Sequence, residues 1–186
     1  WDDVLDLDGG PFPVAETERH TKYSAETLEI QLSGSSDSIE YVIGYYKLKD
    51  DAYTANPQSY FGGQRVIAQN YSGTSDANAF FGQLTWSVAD KWDLTVGARK
   101  TEEDKTGFKE YVGRFGENGQ GSFDDTSSTF IISHDYNENT NLYFKLADGF
   151  KAGGINAEAP TPFESLKPYA PETIESTEFG LKGKYF

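Results

Sequence analysis

The residues able to do chemistry in this chain are few and scattered. There are two histidines, His20 and His134, far apart in sequence, and no cysteine. Neither histidine stands beside a nucleophile motif, so no acid–base or nucleophilic site assembles around them. The missing thiols exclude a thiolate metal site and a disulfide framework. The opening stretch 2–10, DDVLDLDGG, has the composition of a calcium loop but the wrong register. Gly9 in the glycine position requires Asp where Val4 stands, and the twelfth position is Ala15, not Glu. The run 116–121, GENGQG, has the glycines of a phosphate loop without its Lys-Ser/Thr pair or a following helix. These readings predict no enzyme, no metal and no cofactor. A net charge of -14 also argues against nucleic acid as a partner, because phosphate binding needs basic patches.

Binding chemistry is better represented. Tyr53, Tyr60, Phe61, Tyr71, Tyr111, Phe115 and Phe123 fall in stretches rich in Gly, Asn, Asp and Ser. Exposed aromatic side chains contact ligands at low entropic cost. The same residues can pack loops together or form an interfacial aromatic girdle.

These residues need elements to hold them, and period-2 alternation supplies strands. In the stretch 142–154, LYFKLADGFKAGG, Leu142, Phe144 and Leu146 alternate with Tyr143, Lys145 and Ala147. Alternation predicts six further strands, at 22–33, 38–49, 77–88, 91–103, 125–136 and 173–186. On the third, Phe80, Leu84, Trp86 and Val88 oppose Gln83 and Thr85. Short polar turns at 34–37, 89–90 and 137–140 join three pairs. The other connections, 50–76, 105–124 and 153–172, read as long loops, as does 1–21. Short and long connections alternate strictly. That layout has two different ends, like an outer-membrane barrel with short periplasmic turns and long extracellular loops. It yields hairpins at 22–49, 77–104 and 125–152 and a last strand at 173–186.

The hydrophobic share is 37%, below the ~45–50% of an ordinary globular domain. A barrel wall tolerates this, because only its lipid face must be apolar. In that arrangement Leu142, Phe144 and Leu146 meet lipid. Glu29, Gln31, Gln83, Thr85, Arg99, Lys145, Glu178, Lys182 and Lys184 face a wet lumen. A soluble β-sandwich binding domain also alternates, and a passive porin-like channel shares the barrel layout.

Four stretches, in order, resemble the barrel of TonB-dependent outer-membrane receptors. They are YSAETLEIQLSG (23–34), FFGQLTWSVADKWDLTVGARKTEEDK (80–105), TNLYFKLADGFKAGGIN (140–156) and YAPETIESTEFGLKGKYF (169–186). The resemblance implies an all-β, antiparallel up-and-down meander. About seven strands of a larger barrel are expected, with the plug, the TonB box and the closing strands outside these residues. It implies the bacterial outer membrane and active import of a scarce nutrient: a ferric siderophore, a vitamin or an oligosaccharide. It implies a TonB energy-coupling complex acting through the plug, and contact with outer-membrane lipid and lipopolysaccharide. In that scheme the nine alternating polar residues meet the plug.

An excerpt of this kind has open edges, and unpaired backbone groups in lipid cost several kcal/mol each. The 186-residue chain alone is therefore expected to aggregate or pair its edges with another copy in detergent. Sizing with heat-modifiable gel mobility checks this; a monodisperse, heat-modifiable monomer contradicts it.

Overall fold

The computed structural model describes residues 1–157 and 166–184, except for the side chain of Phe115. One antiparallel sheet of eight strands dominates. In chain order its members are β1 (Asp2–Asp6), β2 (Ala15–Ser35), β3 (Ile39–Tyr60), β4 (Arg65–Ala89), β5 (Trp92–Tyr111), β6 (Phe115–Asn137), β7 (Thr140–Lys151) and β10 (Glu172–Gly183). Between the last two lies a two-stranded sheet, β8 (Gly154–Ile155) with β9 (Pro168–Tyr169). Each strand from β1 to β7 pairs with its neighbours in sequence, and β10 pairs with β7. This is the up-and-down meander that the alternation implies. No second large sheet faces it among the described residues, which sets aside the two-sheet sandwich.

The strands are much longer than the alternation predicts. The stretches 50–76 and 105–124 are not loops but the far halves of two hairpins. They close at 61–64 and 112–114. The stretch 1–21 holds β1 and the start of β2. Of 153–172, residues 158–165 lie outside the described residues, as do the last two residues of the strand expected at 173–186. The extensions were hidden because their residues have low strand propensity, and pairing outweighs propensity in a sheet. Each ladder continues without a break into the polar region, from Tyr45↔Phe80 to Tyr60↔Arg65 and from Leu94↔Ile132 to Tyr111↔Phe115. Direct cross-strand Thr–Thr hydrogen bonds help: Thr21–Thr54 at 3.0 Å and Thr74–Thr106 at 2.6 Å.

The short turns share one end, joined by main-chain hydrogen bonds. Ser87 donates to Ser38, Asp135 to Lys91 and Lys184 to Asn139 at 2.8–2.9 Å. At the opposite end, Phe61 and Gly62 donate to Val14 and Pro13, which ties the 61–64 turn to the β1–β2 connection. The acidic stretch makes that connection. Asp6 accepts the N–H groups of Asp8 and Gly9, and Asp8 accepts those of Gly10 and Ala15. Its carboxylates thus serve as turn acceptors. No group of three or more His, Asp or Glu placed to hold a metal occurs among the described residues.

Cross-strand partners share a face, so the register sorts the side chains. One face carries Ile30, Leu32, Tyr41, Ile43, Phe80, Leu84, Trp86, Val96, Phe130, Leu146, Phe179 and Leu181, all well exposed, and Tyr45, half-buried at its Phe80 partner. Phe80 and Phe179 reach 68% and 76% exposure. The band slants. Ile30 lies in the row of Tyr45, whereas Phe179 lies in the row running Ile39, Trp86, Leu94, Ile132, Phe144. Those two rows are six residues apart over six strand steps, or ~20 Å against ~29 Å, which corresponds to a strand tilt of about 35°. Strands crossing a membrane in a barrel tilt by ~35–45°. Every well-buried side chain sits on the opposite face or in the segment folded over it: Thr17, Thr54, Asn56, Ala77, Ala79, Lys109, Ala152 and Leu166.

Two predictions follow from this geometry. Leu84→Arg, on the band, should destabilise the barrel of the full-length chain by about 2–4 kcal/mol, and Thr85→Arg, on the other face, by much less; urea-refolding midpoints in vesicles read the difference. The second concerns β1, whose strand lies beyond the apolar band. Asp3 takes a bidentate bond from Arg19, and His20 Nδ1 lies 2.7 Å from Asp2 with Glu18 at 3.6 Å. The Asp2 hydrogen bond raises His20 above its ordinary 6.5 and lowers Asp2. This contribution is complete below the unfolded histidine value and fades as pH rises through the raised folded one; on the acid side it fades as Asp2 protonates. Amide protection of β1 should therefore be higher at pH 6 than at pH 8.5, and His20→Gln should remove that difference.

Candidate functional site

The face opposite the apolar band carries the groups suited to recognition, and its upper half, toward the 61–64 and 112–114 turns, is the best organised. Asn56 is its hub. Its Nδ2 donates to Thr17 Oγ1 at 2.7 Å and to the Glu18 carbonyl at 2.9 Å. Its Oδ1 accepts from Gln69 Nε2 at 2.7 Å and Gln58 Nε2 at 3.3 Å. Tyr60 then donates to Gln58 Oε1 at 2.9 Å. Thr17 and Asn56 are buried, and buried amides need such full pairing. The register fixes the set, because Asn56 pairs with Gln69 and Gln69 with Tyr111. Lys109 lies next along the wall, paired with Tyr71, almost fully buried and 5.4 Å from the Tyr111 ring centroid.

The aromatic residues proposed for ligand contact therefore divide. Tyr60, Tyr71, Tyr111 and Phe123 share this face by register. Tyr53, paired with Lys22 and Ser72, is on the other face. Phe61 is in the hairpin turn with φ 54° and is exposed. The Phe115 side chain lies outside the described residues. The sequence reading missed Asn56, Gln58, Gln69 and Lys109. They stand in stretches read as loops, and only the register reveals that Asn56 and Gln69 face each other.

Lower on the same face stand the residues assigned by alternation. Gln31 donates to Glu29. Thr85 bonds Thr95 at 2.9 Å, and Gln83 precedes it by two positions. The Arg99 guanidinium lies over Tyr46 at 5.4 Å and Phe81 at 5.6 Å, a cation–π arrangement that fixes its height on the wall. Lys145 pairs with Glu178, which accepts a hydrogen bond from Tyr143, and Lys182 lies 5.0 Å from the Tyr143 ring. Lys184 follows the end of β10 and lines a hollow with Lys91, Asp135 and Asn139 at the short-turn end.

The sheet divides where the LADGFKAGG motif begins. Pairing of β6 with β7 stops at Thr129↔Ala147, while β7 with β10 continues to Glu172↔Lys151. Just past the stop, Asp148 replaces a strand partner: it accepts the Ser128 N–H at 3.0 Å and the Ser128 hydroxyl. From this opening residues 152–157 and 166–171 turn onto the polar face. Ala152, Gly153, Gly154 and Leu166 are buried there.

Comparison with known proteins places this geometry. Residues 3–186 match the family model described as TonB dependent receptor-like, beta-barrel. The pesticin receptors of Yersinia enterocolitica and Yersinia pestis are 23% identical over 167 residues, which is 84% of this chain and 24% of theirs. The chain thus spans about a quarter of the curated relatives it matches. The crystal structure of the ferric yersiniabactin uptake receptor of Yersinia pestis superposes with a TM-score of 0.82 at 18% identity, over 92% of this chain and 28% of that one. The unliganded ferric citrate transporter gives 0.70 at 14% identity, over 91% and 26%. The siderophore receptor of Acinetobacter baumannii gives 0.63 at 13% identity, over 92% and 30%. The chain belongs to the TonB-dependent receptor family, bacterial outer-membrane proteins, and forms part of its β-barrel.

Proposed function

We propose that this chain is a wall segment of a receptor that imports a ferric siderophore across the outer membrane with energy supplied through TonB. The observation that carries the reading is the polar face above the apolar band. There Tyr60, Tyr71 and Tyr111 stand around a hydrogen-bonded amide set, beyond the depth that lipid covers. The arrangement suits binding and positioning. Phenol rings and carboxamides suit a chelate that offers flat faces and hydrogen-bond acceptors.

Iron, rather than a vitamin or an oligosaccharide, is favoured by the relatives, whose names include ferric yersiniabactin, ferric citrate and a siderophore. In those proteins iron is cargo, and the same is proposed here. The lower polar face, with Glu29, Gln31, Gln83, Thr85, Arg99, Lys145, Glu178 and Lys182, lines the lumen and contacts the plug. The apolar band contacts lipid, and Tyr53, one row from Tyr71 on the outward face, meets lipopolysaccharide above it.

The test is growth on chelated iron. A strain lacking its own receptors should grow under iron limitation on ferric yersiniabactin or ferric citrate when it expresses the full-length chain. Growth should need TonB. Tyr71→Ala with Tyr111→Ala should weaken chelate binding about tenfold or more while outer-membrane levels hold. Equal growth without TonB would instead indicate a passive channel.

A further inference from the structure

We infer that the segment folded onto the polar face, residues 152–157 with 166–169, is a fixed inner wall of the lumen, and that Gly107 and Gly119 are its positioning residues. The first observation is a register row of small residues across that face: Ala52, Gly73, Gly107, Gly119. The second is what occupies its far half. A Cβ at Gly107 would lie 2.7 Å from Ile155 Cγ2, and one at Gly119 would lie 2.6 Å from the Leu166 carbonyl oxygen. Two positions along β6, Gly121 faces Pro168 at 3.3 Å in the same sense. Both arms of the folded segment therefore sit in contact that only glycine permits.

The segment is also locked to itself and to its root. A Cβ at Gly153 would stand 2.1 Å from the Tyr169 carbonyl oxygen and 2.4 Å from the Phe123 ring. The Tyr169 ring covers Gly154, its β8–β9 partner. Leu166 and Ala152 are buried at 9% and 8% exposure. The contacts of Gly119 with the Leu166 carbonyl and of Gly153 with the Tyr169 carbonyl are backbone against backbone, with no side-chain end that can yield, so they define one height for the segment above the wall. Gly107 is two positions from Lys109 on β5, and the Ile155 seat therefore borders the Tyr71–Lys109 pair. Its effect on a ligand rests on the receptor reading above; its position does not.

The experiment needs no ligand and uses the full-length chain. These 186 residues contain no cysteine, so one introduced here is new to them. Leu166→Cys should react with a water-soluble maleimide at least tenfold more slowly in the assembled barrel than after unfolding in urea. Adding Gly119→Ala should remove most of that protection while heat-modifiable mobility persists. Adding Gly97→Ala should not, because a Cβ there meets nothing closer than 3.4 Å. Separately, Gly107→Cys with Ile155→Cys should cross-link under mild oxidation, since the Gly107 Cβ would lie 3.3 Å from Ile155 Cβ, near disulfide range. This pair decides the matter alone if Gly119→Ala prevents assembly. Rapid labelling of Leu166→Cys in the assembled barrel, or no cross-link, overturns the inference. Growth on iron chelates plays no part in either measurement, so failure of the receptor reading shows up separately.

Discussion

Everything in this structure depends on keeping backbone hydrogen bonds paired where lipid replaces water. An unpaired N–H or C=O in hydrocarbon costs several kcal/mol, so a strand there must have a partner on each side. Across the apolar band the ladder meets that demand on both sides from β3 through β7, while β2 there and β10 are paired on one side. Between β6 and β7 pairing ends inside the sheet, at Thr129↔Ala147. There Asp148 supplies acceptors from its side chain to Ser128, and the chain leaves the sheet only four residues later.

The same ladder makes function possible by separating two surfaces of opposite character. Alternation with a period of two sends one set of residues to lipid and the other to the polar face, and register then decides which polar residues meet. Asn56 gathers Thr17, Gln58 and Gln69 because β2, β3 and β4 stay in register more than ten residues beyond the apolar band. That extension carries the aromatic and amide groups well past the apolar band. A longer strand, rather than a loop, therefore carries the Asn56 set, with the stiffness of a sheet.

How much of this could be read from the sequence divides along the same line. The apolar band was legible because Leu28, Ile30 and Leu32, or Leu142, Phe144 and Leu146, alternate strongly enough to show both strand and face. So were the tight turns, whose residues are local. The strand extensions were not legible. Stretches such as NYSGTSD (70–76) and KTGFKE (105–110) look like loops by composition, and they are strands because the partner strand is there. The Asn56 set was illegible for the same reason: its members are far apart in sequence and only register brings them together. Tyr53 shows the cost of lacking it. Its composition context matched Tyr60 and Tyr71, but it lies on the opposite face.

Glycine and aromatic residues, which seemed two separate features of the composition, are in fact one device. Gly34 pairs directly with Tyr41, Gly44 with Phe81, Gly154 with Tyr169 and Gly180 with Tyr143. In each pair the ring lies over the glycine, so closely that a Cβ there would come within 2.3–2.6 Å of it. Glycine alone weakens a strand, because it gives the pair no side chain to pack and leaves the backbone bare. A ring laid across it restores the cover, an arrangement known to rescue glycines in sheets. This resolves the low hydrophobic share. The wall needs aliphatic residues only along the lipid band; elsewhere an aromatic ring covers two positions at once, its own and its partner's. The folded segment repeats the device at Gly154 and adds the inverse at Gly107 and Gly119, where bare backbone receives Ile155 and Leu166 from another part of the chain. Glycine on this wall is therefore a receptor for side chains that arrive across a strand pair or from above, and its position in a row, not its number, specifies what can dock.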